Sequence, residues 1–109
     1  MTDFKIMDGA MGSELIRRGL YLPEHIWSAE ANIKNPNMVK KIHGEYIHAG
    51  SDYITANTFR TTPRAYLKTG VDDEKSIQMA KDSLDNAVEF SKKAAGSSVN
   101  VIGSIAPLE

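Results

Sequence analysis

Cysteine is absent from all 109 residues of the chain. No disulfide framework is available, and no thiolate metal site can be built from these residues. Neither sign of charge dominates, with 13 basic residues against 14 acidic ones. That balance leaves no electrostatic footprint for nucleic acid or for an anionic membrane. Apolar runs fall far short of the roughly 20 residues that span a bilayer. The opening Met1-Thr2-Asp3-Phe4-Lys5 lacks the basic-then-apolar order of a signal peptide. These absences fit a cytoplasmic protein that binds neither nucleic acid nor membrane. Low-complexity tracts, linkers and repeats are lacking as well, so residues 1–109 read as one segment of a domain.

What is there is an alternation of strand and helix. Phe4 to Gly9 alternates apolar residues and ends in an acid and a glycine, which predicts a strand meeting a loop. A short helix follows from about Ser13 to Arg18, stopped by Gly19. Residues 19–34, with Pro23 and Trp27, form a long excursion with some helical turns. Asn35 and Pro36 suit the cap and first position of a helix. Its apolar face is Met38, Val39, Ile42, Tyr46, Ile47 and Ala49, and Gly50 ends it. Tyr53 to Ala56 is a compact β-prone run.

Thr62-Pro63 opens a short helix closed by Gly70. Asp72 or Asp73 caps a longer one, running to about Ala95, with a predicted face of Ile77, Ala80, Leu84, Ala87 and Val88. Lys92 and Lys93 near its end suit the helix dipole. After the turn at Gly96-Ser97-Ser98, Val99 to Ser104 forms a last strand. Alternating strands and helices imply parallel βαβ units, an α/β class. Three parallel strands leave two open edges, and such sheets are normally covered on both faces. The chain is therefore expected to be a piece of something larger, or to be completed by other chains.

Chemistry concentrates where strands end. In parallel α/β proteins the site lies at the carboxyl ends of the strands. Asp8 falls there. Gly9 and Gly12 permit a tight turn through Ala10 and Met11, and the N–H groups opening the next helix suit an anion. A carboxylate beside such N–H groups matches the ammonium and carboxylate of an amino acid. The alternative is that Asp8 merely caps the helix and the glycines merely turn. The stretch is neither a dinucleotide fingerprint nor a P-loop. Asn57 and Thr58 end the second strand and offer neutral donors and acceptors at the same mouth, or bond their own loop. Gly103-Ser104 ends the third strand. His43 and His48 are five residues apart and do not share a helix face, His25 lies in the excursion, and Trp27 reads as a packing anchor. Neither a metal-ligand set nor a catalytic acid, base or nucleophile is assigned within the chain.

Several landmarks resemble the homocysteine S-methyltransferase family. Asp8-Gly9-Ala10-Met11-Gly12-Ser13-Glu14-Leu15 is similar to its opening DGGMGTEL motif, with Ala10 and Ser13 as small-for-small departures. Ile26-Trp27-Ser28-Ala29 resembles its WSA segment. Asn35-Pro36, His43, Tyr46 and Ala49-Gly50-Ser51-Asp52 resemble its NP…H…Y…AGAD order. Ile54 to Phe59 resembles ITTNTF, and Gly103-Ser104-Ile105-Ala106-Pro107 resembles GSIGP, with Ala106 for glycine.

The resemblance implies the first three β/α units of a (β/α)8 TIM barrel, incomplete in this chain. It implies transfer of a methyl group to the zinc-bound thiolate of homocysteine, giving methionine. Zinc would be held by three cysteines on later strands, outside this chain. The substrates would be homocysteine and a small methyl donor, with a lean of the WSA segment toward methylated sulfonium donors. Carried onto this sequence, Asp8 would meet the substrate ammonium. Gly9, Ala10, Met11 and Gly12 would lie near its carboxylate, with Asn57 and Thr58 at the mouth. This segment alone is expected to be inactive, and to self-associate or pair with the rest of the barrel. The competing readings are a non-catalytic barrel fragment needing a partner chain, and another TIM-barrel enzyme that binds an anionic metabolite.

Overall fold

A computed structural model describes residues 4–105. Its elements are α1 (Met11–Arg17), α2 (Ala29–Lys34), α3 (Pro36–His48), β1 (Tyr53–Thr55), α4 (Pro63–Leu67), α5 (Asp73–Ala95) and β2 (Asn100–Ile102). β1 and β2 run parallel, with Tyr53 opposite Asn100, Ile54 opposite Val101 and Thr55 opposite Ile102. Helices α4 and α5 supply the long crossover that a parallel pair needs. The α/β class expected from the sequence is what the chain adopts.

The first expected strand is shorter than its sequence suggests. It is reduced to one parallel bridge between Met7 and Tyr53. Tyr53 N donates to Ile6 O at 3.1 Å and Asp8 N to Tyr53 O at 3.0 Å, while Asp52 O and Ala56 N bond to the β2 side. The Met7 segment thus flanks β1 opposite β2. Two carboxylates end the ladder. Ile6 N donates to Asp52 Oδ2 and Thr55 N to Asp8 Oδ2, each at 2.9 Å. Side-chain oxygens occupy the positions where backbone carbonyls would add rungs.

Helix ends follow local chemistry. Gly19, with φ 95°, closes α1 through Leu20 N to Leu15 O and Gly19 N to Ile16 O, a glycine C-terminal motif with a 6→1 bond. Thr62 accepts from Ala65 N at 3.2 Å, and Asp72 accepts from Lys75 N at 2.7 Å. Those side chains satisfy N–H groups that the first turn leaves open. Asn35 departs from expectation, since its side chain makes no cap hydrogen bond to α3. Pro36 does stand at the start of that helix.

Two apolar clusters hold the helices and the 18–28 connection together. One joins Leu15, Leu22, Ala31, Val39, Ile42 and Phe90; the other joins Ile26, Ala29, Ala65, Tyr66 and Ala80. The phase of α5 corrects the sequence reading. Ala80 and Ala87 are buried as expected, but Ile77 and Leu84 are exposed and their neighbours Ser76 and Ser83 are buried. Ser83 Oγ accepts from Asn32 Nδ2 at 3.0 Å and donates to Ala29 O at 3.2 Å. These bonds satisfy the buried hydroxyl, and a small side chain lets α5 approach α2 closely. Among the described residues no helix is long and apolar enough to cross a membrane.

Candidate functional site

The Asp8–Gly12 loop lies where the Met7 segment ends, beside the carboxyl end of β1. Asp8 does not cap α1; Ala10 stands at the cap position, with no side-chain bond to the first turn. The Asp8 carboxylate instead spans to β1, where Thr55 N donates to Oδ2 and Thr55 Oγ1 to Oδ1, both at 2.9 Å. Tyr46 on α3 fixes the loop from the other side, donating its hydroxyl to Ala10 O at 3.1 Å.

Two glycines are needed there for space. A Cβ at Gly9 would meet Tyr46 Oη at 2.6 Å, and a Cβ at Gly12 would meet Trp27 Nε1 at 2.8 Å. Backbone and aromatic rings therefore approach more closely than any side chain at these positions would permit. Trp27 itself adopts a φ of 49°, a left-handed conformation uncommon for a bulky residue.

A cavity of about 390 Å³ opens at these strand ends. Asp8, Gly9, Ala10, Met11, Gly12 and Asn57 all line it, six of the seven residues singled out from the sequence. Thr58 is not in its lining. Its hydroxyl donates to Ser104 O at 2.7 Å and accepts from Ser104 N at 3.1 Å, tying the end of β1 to the end of β2. Asn57 is buried, and its Nδ2 donates to Ser28 O at 2.8 Å and to Asn32 Oδ1 at 3.0 Å. Its amide N–H groups thus hold the wall in place. Thr55, Trp27, Ser28 and Phe59 also line the cavity. Of these, Thr55 had a readable signal, because alternation along β1 puts it on the face opposite Ile54.

A second cavity, of about 560 Å³, adjoins the first and is lined by Tyr21, Leu22, Glu24, Trp27, Phe59 and Arg60. Trp27 and Phe59 belong to both linings. The Arg60 guanidinium sits 5.0 Å from the centre of the Phe59 ring and donates to Glu24 O at 2.7 Å.

His43 lies near the loop on the core face of α3, fully buried, with neither ring nitrogen hydrogen-bonded. Burial holds its imidazole below the usual range, and the carboxylate of Asp8 pulls weakly the other way. At the outer end of α1, Arg17 and Arg18 both bond Glu14 and bring its carboxyl down to about 2. Arg18 also reaches Glu45 at 2.6 Å, pinning α1 to α3. Among the described residues no three His, Cys, Asp or Glu side chains converge as a metal site. With cysteine absent from the whole sequence, this donor set does not fit a zinc ion held by the chain alone.

A parallel α/β frame with an acid and a glycine turn at the strand ends describes a small-molecule site of the α/β type. Comparison with known proteins narrows the class. The homocysteine S-methyltransferase family matches residues 5–109, and the chain belongs to that family. The homocysteine S-methyltransferase of Escherichia coli (strain K12) is 32% identical over 92 residues, which is 84% of this chain and 28% of that protein. Homocysteine S-methyltransferase 1 of Arabidopsis thaliana is 32% identical over 84 residues, 77% of this chain and 26% of the relative. The solved structure of the Escherichia coli homocysteine methyltransferase MmuM in its metallated form superposes with a TM-score of 0.74 at 27% identity, covering 97% of this chain and 38% of that one. The chain thus spans roughly a quarter of the length of these curated relatives, 28% and 26%. The family resemblance read from the motifs is borne out.

Proposed function

We propose that this chain is the amino-terminal segment of an enzyme that transfers a methyl group to the sulfur of homocysteine, giving methionine. In this reading it contributes the first three β/α units of a (β/α)8 barrel and the wall that binds the amino-acid end of the substrate. The observation that carries the proposal is the Asp8 carboxylate, held by Thr55 at the rim of the cavity. An ionised carboxylate has about four acceptor positions. Thr55 uses two, which leaves two for the protons of an ammonium group. Ala10 at the cap position of α1 offers no side-chain acceptor to the first-turn N–H groups, which suit the substrate carboxylate.

Fixing both ends of the amino acid leaves its thiol to be aimed along the cavity. Bond formation between that sulfur and the methyl carbon accompanies cleavage of the donor's bond to the methyl group, and the donor keeps the electron pair. The thiolate is the reactive form of the substrate. Its activation belongs to residues outside this chain, as do the zinc ligands that the resemblance implies. The adjoining cavity suits the donor. Aromatic faces of Tyr21 and Trp27 attract a sulfonium cation, the Phe59 ring already carrying the Arg60 guanidinium, while Glu24 and Arg60 match the charges of an amino-acid donor such as S-methylmethionine.

The complete protein, supplied with homocysteine and methyl-labelled S-methylmethionine, tests the proposal. Labelled methionine is the expected product. Absence of transfer to homocysteine from sulfonium, folate and betaine donors alike would refute it.

A further inference from the structure

Among the described residues only two that are not glycine have a positive φ, Trp27 at 49° and Arg60 at 60°. A left-handed backbone is disfavoured for side chains of that bulk, so it persists only where surrounding contacts hold it. The two lie in separate segments, Trp27 in the excursion between α1 and α2 and Arg60 in the loop after β1. Both nevertheless line the same cavity.

Hydrogen bonds connect them. Arg60 Nη1 donates to Glu24 O at 2.7 Å and to His25 O at 3.4 Å, on the amino side of Trp27. Asn57 Nδ2 donates to Ser28 O at 2.8 Å, on its carboxyl side. Three carbonyls that flank Trp27 are therefore bonded by side chains from one loop. The clamp is itself fixed. Asn57 Nδ2 also donates to Asn32 Oδ1 at 3.0 Å, and Asn32 Nδ2 returns a bond to Asn57 O at 2.9 Å and another to Ser83 Oγ at 3.0 Å. All three of these side chains are buried. The Arg60 guanidinium lies over the Phe59 ring, 5.0 Å from its centre.

Trp27 stands where its placement matters. Its Nε1 is 2.8 Å from the position a Cβ would take at Gly12, so the ring edge abuts the Asp8–Gly12 loop. It belongs to the linings of both cavities. Its surface is 38% exposed, so burial alone does not fix the ring.

We infer that Asn57 and Arg60 are positioning residues for Trp27: through the carbonyls of Glu24, His25 and Ser28 they hold its ring against Gly12, in the wall common to the two cavities. The placement of the ring stands on this geometry alone. Its consequence for turnover rests on the methyl-transfer reading, in which the two substrates occupy the two cavities. A ring that drifts in the shared wall changes how sulfur and methyl carbon approach, and small errors of approach slow such a step steeply.

The test uses the complete protein labelled with fluorotryptophan, the Trp27 fluorine resonance being identified by its loss in Trp27→Phe. The variants are Asn57→Ala and Arg60→Gly. Glycine suits the left-handed backbone at position 60, so the second removes the guanidinium without straining the chain. In substrate-free protein each variant is expected to move the Trp27 resonance toward its position in urea-unfolded protein. With homocysteine and S-methylmethionine, kcat is expected to fall on the order of tenfold in Asn57→Ala. The same change should cost little more in a Trp27→Ala background, because it acts through that ring. A wild-type resonance in Arg60→Gly, or in a folded Asn57→Ala, would overturn the inference. So would an equal loss of kcat from Asn57→Ala with and without the indole. Should Asn57→Ala lose its fold, the Arg60→Gly resonance decides alone. Because the resonance is read without substrate, failure of methyl transfer would refute the proposed function and leave the positioning of Trp27 standing.

Discussion

Asp8 and Thr55 are joined by two hydrogen bonds of 2.9 Å, one from the backbone N–H and one from the hydroxyl of Thr55. This pair ends the ladder between the Met7 segment and β1, and it sets the direction in which the carboxylate meets the cavity. Thr55→Val removes the hydroxyl and keeps both shape and backbone bond. The half-buried pair is expected to lose about 1 kcal/mol, within the range for a hydrogen bond to a charged group after solvent discounting. Urea unfolding reads it as a lower midpoint with unchanged slope. An unchanged midpoint would mean that the backbone bond alone holds Asp8.

The loop glycines differ in how far their neighbours can yield. At Gly12 an added Cβ would meet Trp27 Nε1 at 2.8 Å, and Trp27 is 38% exposed, so its ring can swing outward. Since Trp27 is the single tryptophan of the chain, Gly12→Ala should shift its fluorescence to the red. At Gly9 the new Cβ would meet Tyr46 Oη at 2.6 Å and two ring carbons at 3.1 Å. Tyr46 is already bonded to Ala10 O. Gly9→Ala is therefore expected to cost more, about 1–3 kcal/mol as for overpacking. A Gly9→Ala chain as stable as Gly12→Ala would contradict this ranking.

Local chemistry was legible in the sequence, and long-range pairing was not. The caps at Thr62 and Asp72 and the stops at Gly19, Gly50 and Gly70 follow from neighbouring residues, so composition revealed them. Asp8 and Thr55 are 47 residues apart, and no local pattern links them. The phase of α5 failed for a related reason. Hydrophobic periodicity ranks Ile77 and Leu84 above Ser76 and Ser83, whereas Ser83 is admitted to the core by bonds to α2. The motif at residues 8–12 singled out a loop that lines the candidate cavity, and the shared lining with Asn57 follows from the parallel frame.

His43 makes stability depend on pH. Burial lowers its pKa below the ordinary 6.5. As pH falls below about 6.5, the unfolded chain takes up a proton that the folded chain resists, so stability decreases toward acid. His43→Leu removes this proton uptake and the unpaired ring nitrogens together. The variant is expected to be at least as stable as wild type near neutrality, and its advantage should grow as pH drops to about 5.5. Chemical unfolding at both pH values gives the comparison. Parallel pH profiles would show that His43 carries no proton linkage.

The role of Asp8 in binding the substrate ammonium is the central claim, and calorimetry on the complete protein tests it most directly. A charge-assisted hydrogen bond contributes about 1.5–3 kcal/mol. Asp8→Asn keeps the shape and removes the charge, so homocysteine affinity should fall on the order of 10- to 100-fold, at about 1.4 kcal/mol per decade. An analogue lacking the amino group should lose little affinity between wild type and variant. Equal homocysteine affinity in wild type and Asp8→Asn would contradict the account, leaving Asp8 as a structural tie to Thr55 alone.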